Sequence, residues 1–363
     1  MIPAVSGRVR ALLRARSKAR DLRSRRPPRL TVRPSDGRPP VVYYLTPDQR
    51  SPRGGVRMMY RHVDLLNQAG IEAAVLHSRT GFRCEWFGNS TRVTSAGATT
   101  LTTDDILVVP EYYAPGYGVL PVGPRKIIFN QGAYHTFDYS PFGAGIPGAP
   151  YTDVDNVIMM LTVSEDSAAL LRYAFPDIPV HRARAVVDRK VFHPTPDAAP
   201  RARRIAFIPR RRPQERQQLL QMLAARGVLD GWELVPIEGR TERQTADLMR
   251  GSAIFLSFSE RDGFGLPPAE AMACGCFVVG FTGGGGRDYF DPDHSTPVIG
   301  DGDMLAFARA VEEAIRRYDS NPDDLAKAGL LASDRILGRY QEDGLRSDLV
   351  SLYGPNGVVT DVS

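Results

Sequence analysis

The side chains best placed to do chemistry are the carboxylates of Asp262 and Glu270, in the stretch DGFGLPPAEAMACG (262–275). Between them, Gly263 and Gly265 permit a tight turn with bare backbone, and Leu266 leads into a prolyl pair. Pro267 and Pro268 suit the first turn of a helix, where a missing N–H costs nothing. The pattern places Glu270 on that first turn and ends the helix at Gly275. SAIFLSFS (252–259) before it and CFVVGF (276–281) after it read as buried strands, and the second runs into Gly283 to Gly286. Strand, glycine turn, helix, strand, glycine turn brings backbone N–H groups and two acids to the C-terminal ends of parallel strands. Open α/β sheets bind phosphorylated ligands there. Plainer roles stay open. Glu270 would favour a helix dipole by about 0.3–1 kcal/mol, and Asp262 would form an Asx turn at Gly263.

A second set of candidates is basic. IPRRR (208–212) follows directly on a strand, so Arg210, Arg211 or Arg212 could bind phosphate oxygens bidentately, Arg210 and Arg211 first among them, or else the run forms a solvated patch. Gly54 and Gly55 form a paired-glycine loop after the first strand. Glu111, Asn130 and Gln131 end strands that face the same way, and His135 lies just beyond, as a ligand group or a surface loop histidine. Asp301-x-Asp303 reads as a helix-capping turn, so no metal site is expected. Cys84, Cys274 and Cys276 lack framework spacing, which suits reduced thiols and a cytoplasmic address.

The elements that must position these groups alternate strand and helix twice. Of the 363 residues, 39–185 and 203–332 form two such units, joined by a Pro- and charge-rich linker at 186–202. In the first, strands are expected at 39–47, 71–78, 105–110, 126–131 and 157–164. Helices are expected at 55–70 and 166–175, the latter capped by Ser164. In the second, strands at 204–212, 232–239, 252–259 and 276–281 alternate with helices at 213–226 and 241–250. Further helices follow at 304–318, 322–332 and 333–353. The terminal segment, 333–363, is expected to cross back to the first unit. Residues 132–153, rich in Gly, Pro and aromatics, read as a loop over the strand ends.

Charge is distributed unevenly. Residues 1–40 carry a net +10 and the remainder a net −5, within a total of +5. The body is therefore mildly acidic and gives no sign of nucleic-acid binding. Residues 1–38 form a basic extension in which Ile2, Val5, Val9, Leu12 and Leu13 recur at helical spacing. Over residues 1–26 this predicts either a hold on an anionic membrane surface or a solvated extension. No run of apolar residues is long enough to span a bilayer.

Laid out this way, the chain resembles the retaining nucleotide-sugar glycosyltransferases of the GT-B fold, family 4 or group 1. Their E-G-F-G-L-P-x-x-E signature is matched by DGFGLPPAE, with Asp262 for the first Glu. VVDRKVFHP resembles the interdomain V-D-x-x-x-F-x-P, and Asp288 takes the place of the acid after the glycine turn. The resemblance implies two Rossmann-like parallel-sheet domains facing across a cleft. It implies a nucleotide-sugar donor, a glycan or lipid-linked acceptor, no cofactor and no catalytic metal. By residue, it gives Glu270 to the ribose hydroxyls, Asp262 and His135 to the donor sugar, and Gly263, Phe264, Gly265 and Leu266 to the sugar–diphosphate pocket. Arg210, Arg211, Gly54 and Gly55 would serve the diphosphate; Glu111, Asn130 and Gln131 would face the acceptor. Two departures stand out. Asp262 is one methylene short, and Glu215 stands where the family's phosphate-binding Lys would fall.

Two other functions fit less well. A catalytically silent nucleotide-sugar-binding subunit is compatible with both departures, and a GT-B-fold epimerase with the same fold. A pyridoxal phosphorylase lacks its lysine, and a nicotinamide dehydrogenase lacks G-x-G-x-x-G after either first strand.

Overall fold

The computed structural model describes residues 21–51, 53–138, 150–151, 153–195, 201–355 and 357–359. The amphipathic helix expected at the N-terminus falls mostly on residues 1–20, outside the described residues.

The first lobe contains β1 (Thr31–Arg33), β2 (Val42–Leu45), α1 (Gly54–Gln68), β3 (Ala73–His77), β4 (Val93–Ser95) and β5 (Thr100–Thr102). It continues through β6 (Ile106–Pro110), β7 (Arg125–Asn130), β8 (Val157–Thr162), α2 (Glu165–Ala174) and β9 (Val180–Arg182). Seven strands pair in parallel in the order β4-β3-β2-β6-β7-β8-β9, and β1 pairs with β5 in a separate ribbon. β2, β3 and β6 are buried along their whole length, hence their continuous apolar sequences rather than alternation. Ser164 caps α2 by accepting the Ser167 N–H.

The second lobe contains β10 (Arg204–Phe207), α3 (Pro213–Ala225), β11 (Glu233–Pro236), α4 (Glu242–Arg250), β12 (Ile254–Asp262), α5 (Leu266–Ala273) and β13 (Phe277–Gly284), followed by α6 (Met304–Ser320). Its sheet is also parallel, in the order β11-β10-β12-β13. Thr241 and Gln244 form a capping box at the start of α4. Asp303 caps α6 by accepting from Ala306, the turn expected from its sequence.

The C-terminal helices differ from expectation. α7 (Pro322–Arg339) and α8 (Glu342–Tyr353) break at Tyr340, where one helix was expected to begin at 333. The Val187 N–H donates to the Tyr340 carbonyl at 2.9 Å, so the two chain crossings between lobes are tied together. α8 then lies on α1. Tyr353 and Tyr44 share a hydroxyl contact at 3.2 Å, and Arg184 pairs with Asp348 at 2.7 Å.

One apolar core continues from Val42 and Phe129 in the first lobe, through Val187 and Phe192 of the linker, to Phe264 and Cys276 in the second. Separate cores cover the outer faces of each sheet. Residues 21–33 lie on the first lobe, with the Arg25 guanidinium over the Tyr112 ring at 4.8 Å. Among the described residues, no helix is long and apolar enough to cross a membrane.

Candidate active site

A cleft of ≈ 440 Å³ separates the C-terminal edges of the two sheets. α5 starts at Leu266, earlier than the prolines suggest, so Glu270 lies beyond the first turn, which holds no acidic residue. The dipole explanation for Glu270 therefore weakens, because the effect decays within that turn. Pro267 and Pro268 also remove two of the N–H groups this end was expected to offer. Glu270 lines the cleft, and its carboxylate has no hydrogen-bond or ion-pair partner among the described residues. Burial pushes its pKa up to about 7, opposed only by Arg57.

Asp262 ends β12 beside a register irregularity and receives Arg211 Nη2 at 2.7 Å. Burial raises its carboxyl pKa and Arg211 opposes the rise. Arg210 and Arg211 line the cleft, but they differ: Arg211 is committed to Asp262, whereas Arg210 has no partner among the described residues. Arg212, next along, is a structural residue. It is 7% exposed with φ +43°, donates to Ser259 O at 3.2 Å, and pairs with Glu215 at 3.0 Å and with Asp301. Glu215, in place of the expected Lys, thus serves to hold Arg212.

The glycines explain how closely the lobes approach. A Cβ on Gly54 would lie 2.9 Å from Leu266 Cδ1, and one on Gly55 3.1 Å from Gln131 Nε2. A Cβ on Gly263 would overlap the Gln131 carbonyl outright. Gly265, at φ +83°, occupies the left-handed region as N-cap of α5. Phe264 touches the cleft but packs mainly against Tyr340 and Tyr289, at 4.7 and 5.2 Å between ring centroids. Leu266 lines the cleft opposite Gly54.

The four first-lobe candidates separate. Gln131 lines the cleft and donates Nε2 to Gly55 O at 3.1 Å. Asn130 does not: it is fully buried and donates to Thr136 and Tyr151 at 2.7 and 2.9 Å, because strand alternation turns it away from its neighbour. Glu111 stands behind the cleft wall, accepting the Gln131 N–H at 3.1 Å, with burial pushing its carboxyl up to about 7. His135 does not line the cleft either; its Nδ1 is held by Asp138 at 2.7 Å, and Asp138 also receives Arg261.

Sequence reading missed Arg53 and Arg57 at the start of α1, and Arg240 and Glu242 at the start of α4, all of which line the cleft. Their signal was a charged residue between a strand's C-terminal end and the first turn of the next helix. Arg57 pairs with Glu242 across the lobes. Arg53, Arg210 and Arg240 are unpaired among the described residues, against one unpaired carboxylate, Glu270. The cleft therefore has a cationic middle from both lobes and hydrogen-bond acceptors flanking it, which fits an elongated anion bearing hydroxyl groups.

Residues 213–330 match the family Glycosyl transferases group 1. An α-1,6-glucosyltransferase of Actinobacillus pleuropneumoniae serotype 7 (strain AP76) is 28% identical over 282 residues, 72% of this chain and 79% of that protein. Among solved structures, sucrose-phosphate synthase from Thermosynechococcus elongatus is similar with a TM-score of 0.61 at 14% identity, covering 87% of this chain and 98% of that one. Anabaena HepE, in complex with UDP and glucose, is similar with a TM-score of 0.59 at 10% identity, covering 86% and 98%. At such identities the structural likeness concerns the fold alone.

Proposed function

We propose that the chain, which resembles the group 1 glycosyltransferases in sequence and the GT-B enzymes in fold, transfers a sugar, with retention, from a nucleoside diphosphate sugar to a glycan or lipid-linked hydroxyl. The observation that carries this reading is the set of Arg53, Arg210 and Arg240, unpaired among the described residues and gathered from both lobes around a Glu270 that is likewise unpaired there. Breaking the bond from the sugar's anomeric carbon leaves charge on the diphosphate. Guanidinium groups preorganised around it stabilise that charge as it develops. Glu270, accepting only when ionised, suits a vicinal ribose diol. Asp262 addresses the transferred sugar once the diphosphate draws Arg211 away. The acceptor hydroxyl approaches from the face the diphosphate leaves, and a departing phosphate oxygen takes its proton. No protein base and no metal is assigned a step.

A glucosyl donor is the first to test, given the relative's activity. Of residues 1–26, those up to residue 20 are assigned to an anionic membrane surface on the cytoplasmic side, in keeping with their basic composition, since 21–26 lie on the first lobe.

The test is a thermal-shift panel with the diphosphates of uridine, guanosine, thymidine, adenosine and cytidine. A ligand of the folded state at 100 times its Kd adds about 2.7 kcal/mol, so one nucleotide should raise the midpoint by several degrees. No shift with any of the five would overturn the reading. The Arg211–Asp262 pair keeps a silent subunit in view; nucleotide binding without hydrolysis or transfer would favour that instead.

A further inference from the structure

An acid of the second lobe caps a helix of the first. Asp288 ends the short turn Gly285–Asp288 after β13. Its Oδ2 accepts the Glu165 N–H at 2.7 Å and its Oδ1 the Asp166 N–H at 3.1 Å. These residues open α2, where N–H groups find no acceptor within the helix. Ser164 Oγ serves the next one, Ser167, at 3.1 Å. The cap is thus shared between the helix's own Ser164 and a residue of the opposite lobe. The Asp288 side chain is 5% exposed, with Arg182 3.9 Å from Oδ2. Arg287 reinforces the contact by pairing with Asp166 at 2.8 Å, and the Tyr134 hydroxyl donates to the same carboxylate at 2.6 Å.

The glycines before Asp288 form the back wall of the donor turn. A Cβ on Gly285 would overlap the Gly263 carbonyl, and one on Gly284 the Tyr134 ring. The Gly263 carbonyl in turn accepts from Ser167 Oγ at 3.2 Å, on the same opening turn of α2. The cap, the glycine wall and the donor turn are therefore one continuous stack that crosses the cleft. Separating the lobes strips both carboxylate oxygens and two helix N–H groups of their partners together.

The geometry points to Asp288 as a positioning residue: by capping α2 from the other lobe, it makes the donor-binding shape of the Asp262–Leu266 turn conditional on lobe closure. A carboxylate suits this task because charge-assisted bonds to a helix N-terminus are short and directional. The inference rests on the donor site proposed above, and its test is built to fail separately.

Hydrogen exchange by mass spectrometry and small-angle scattering would compare the full chain with Asp288→Asn and Glu165→Pro. Asn keeps one acceptor oxygen and points a donor at a donor. Pro at the first helical position deletes the N–H that Asp288 Oδ2 receives while suiting the helix, so it probes the same bond if the first variant folds poorly. In both, exchange should rise roughly tenfold over 163–175 and also over 131–138 and 262–268, the sites coupled by closure. The radius of gyration should increase, and the double variant should show no more than the stronger single one. With UDP as the probe, the Kd should rise by roughly the factor by which the closed population falls. Exchange confined to 163–175, with unchanged scattering and unchanged UDP affinity, would overturn the assignment. If UDP binds neither wild type nor variants, the uridine donor reading fails, while the exchange and scattering comparison still decides the role of Asp288.

Discussion

Arg211 Nη2 lies 2.7 Å from Asp262 Oδ1, so the groups proposed to meet the diphosphate and the sugar of the donor satisfy each other in the cleft. Asp262→Asn releases Arg211 and removes the acceptor assigned to the sugar. UDP, which carries no sugar, should bind within a few-fold of wild type, because Arg211 becomes free for phosphate. Turnover should fall on the order of a hundredfold, the loss expected when one oriented polar group is removed from a reacting centre. Calorimetric titration with UDP beside a transfer assay checks the split. Equal losses in both would move Asp262 from the sugar to the nucleotide.

Glu270 costs the unliganded protein stability. Its pKa is pushed up to about 7 by burial. Between the ordinary carboxylate range and that value, the folded chain holds a proton the unfolded chain has released. Stability from this group is therefore highest at low pH and falls as pH rises toward 7, by up to roughly 3 kcal/mol. Glu270→Gln should raise the melting temperature at pH 8 without ligand and flatten its dependence between pH 5 and 8. The same variant should lose most of the nucleotide-induced shift and of transfer. A variant less stable than wild type at pH 8 would mean the carboxylate is held by partners after all.

Neighbouring arginines should behave in opposite ways. Arg210 is exposed and unpaired among the described residues, so Arg210→Ala should alter stability by no more than about 0.5 kcal/mol. It should weaken UDP binding roughly tenfold or more, as charge-assisted bonds are worth about 1.5–3 kcal/mol. Arg212 is buried, pairs with Glu215 and Asp301, and stacks 4.8 Å over Phe281. Arg212→Ala should cost roughly 1–3 kcal/mol, because it empties a buried site over Phe281 and takes the donor from the Ser259 carbonyl, while Glu215 and Asp301 remain within reach of water. Denaturation curves and UDP titrations on both variants separate the two roles.

The sequence made the two parallel sheets readable because strands buried on both faces, such as VYYL and VIMMLT, are continuous apolar runs. It hid β1, β4, β5 and β9, each three residues long and too short for any period. Within the site, Glu270 and Asp262 were legible because glycines and prolines fix the chain locally around them. Asn130 was misjudged as cleft-facing because a strand end does not reveal which side its last residue faces. Gln131 faces the cleft and Asn130 the loop core. Arg53, Arg57, Arg240 and Glu242 were missed because they meet only across the cleft, through the packing of two lobes. No local motif records that. Asp288 itself was legible as the acid after the glycine turn, but its partners, 122 and 123 residues away, were not.

From residue 21 the basic extension is built into the first lobe. β1 pairs with β5, Pro27 sits against Gly116, and Arg25 covers Tyr112. Deleting residues 1–38 would therefore strip a strand as well as charge, and any loss of membrane binding would be confounded with damage to the lobe. Deleting residues 1–20 removes Arg8, Arg10, Arg14, Arg16, Lys18 and Arg20 while leaving those contacts in place. At about 1 kcal/mol per basic residue near an anionic surface, full-length protein should sediment with vesicles containing phosphatidylserine and the truncated protein largely stay in solution. Raising salt from 0.1 to 0.5 M should release the full-length protein, since screening shortens the reach of each charge. UDP affinity and melting temperature should match in the two proteins. Equal sedimentation of both would remove the membrane role from residues 1–20. A melting temperature lowered by the shorter deletion would instead mean that the first twenty residues are also packed on the body.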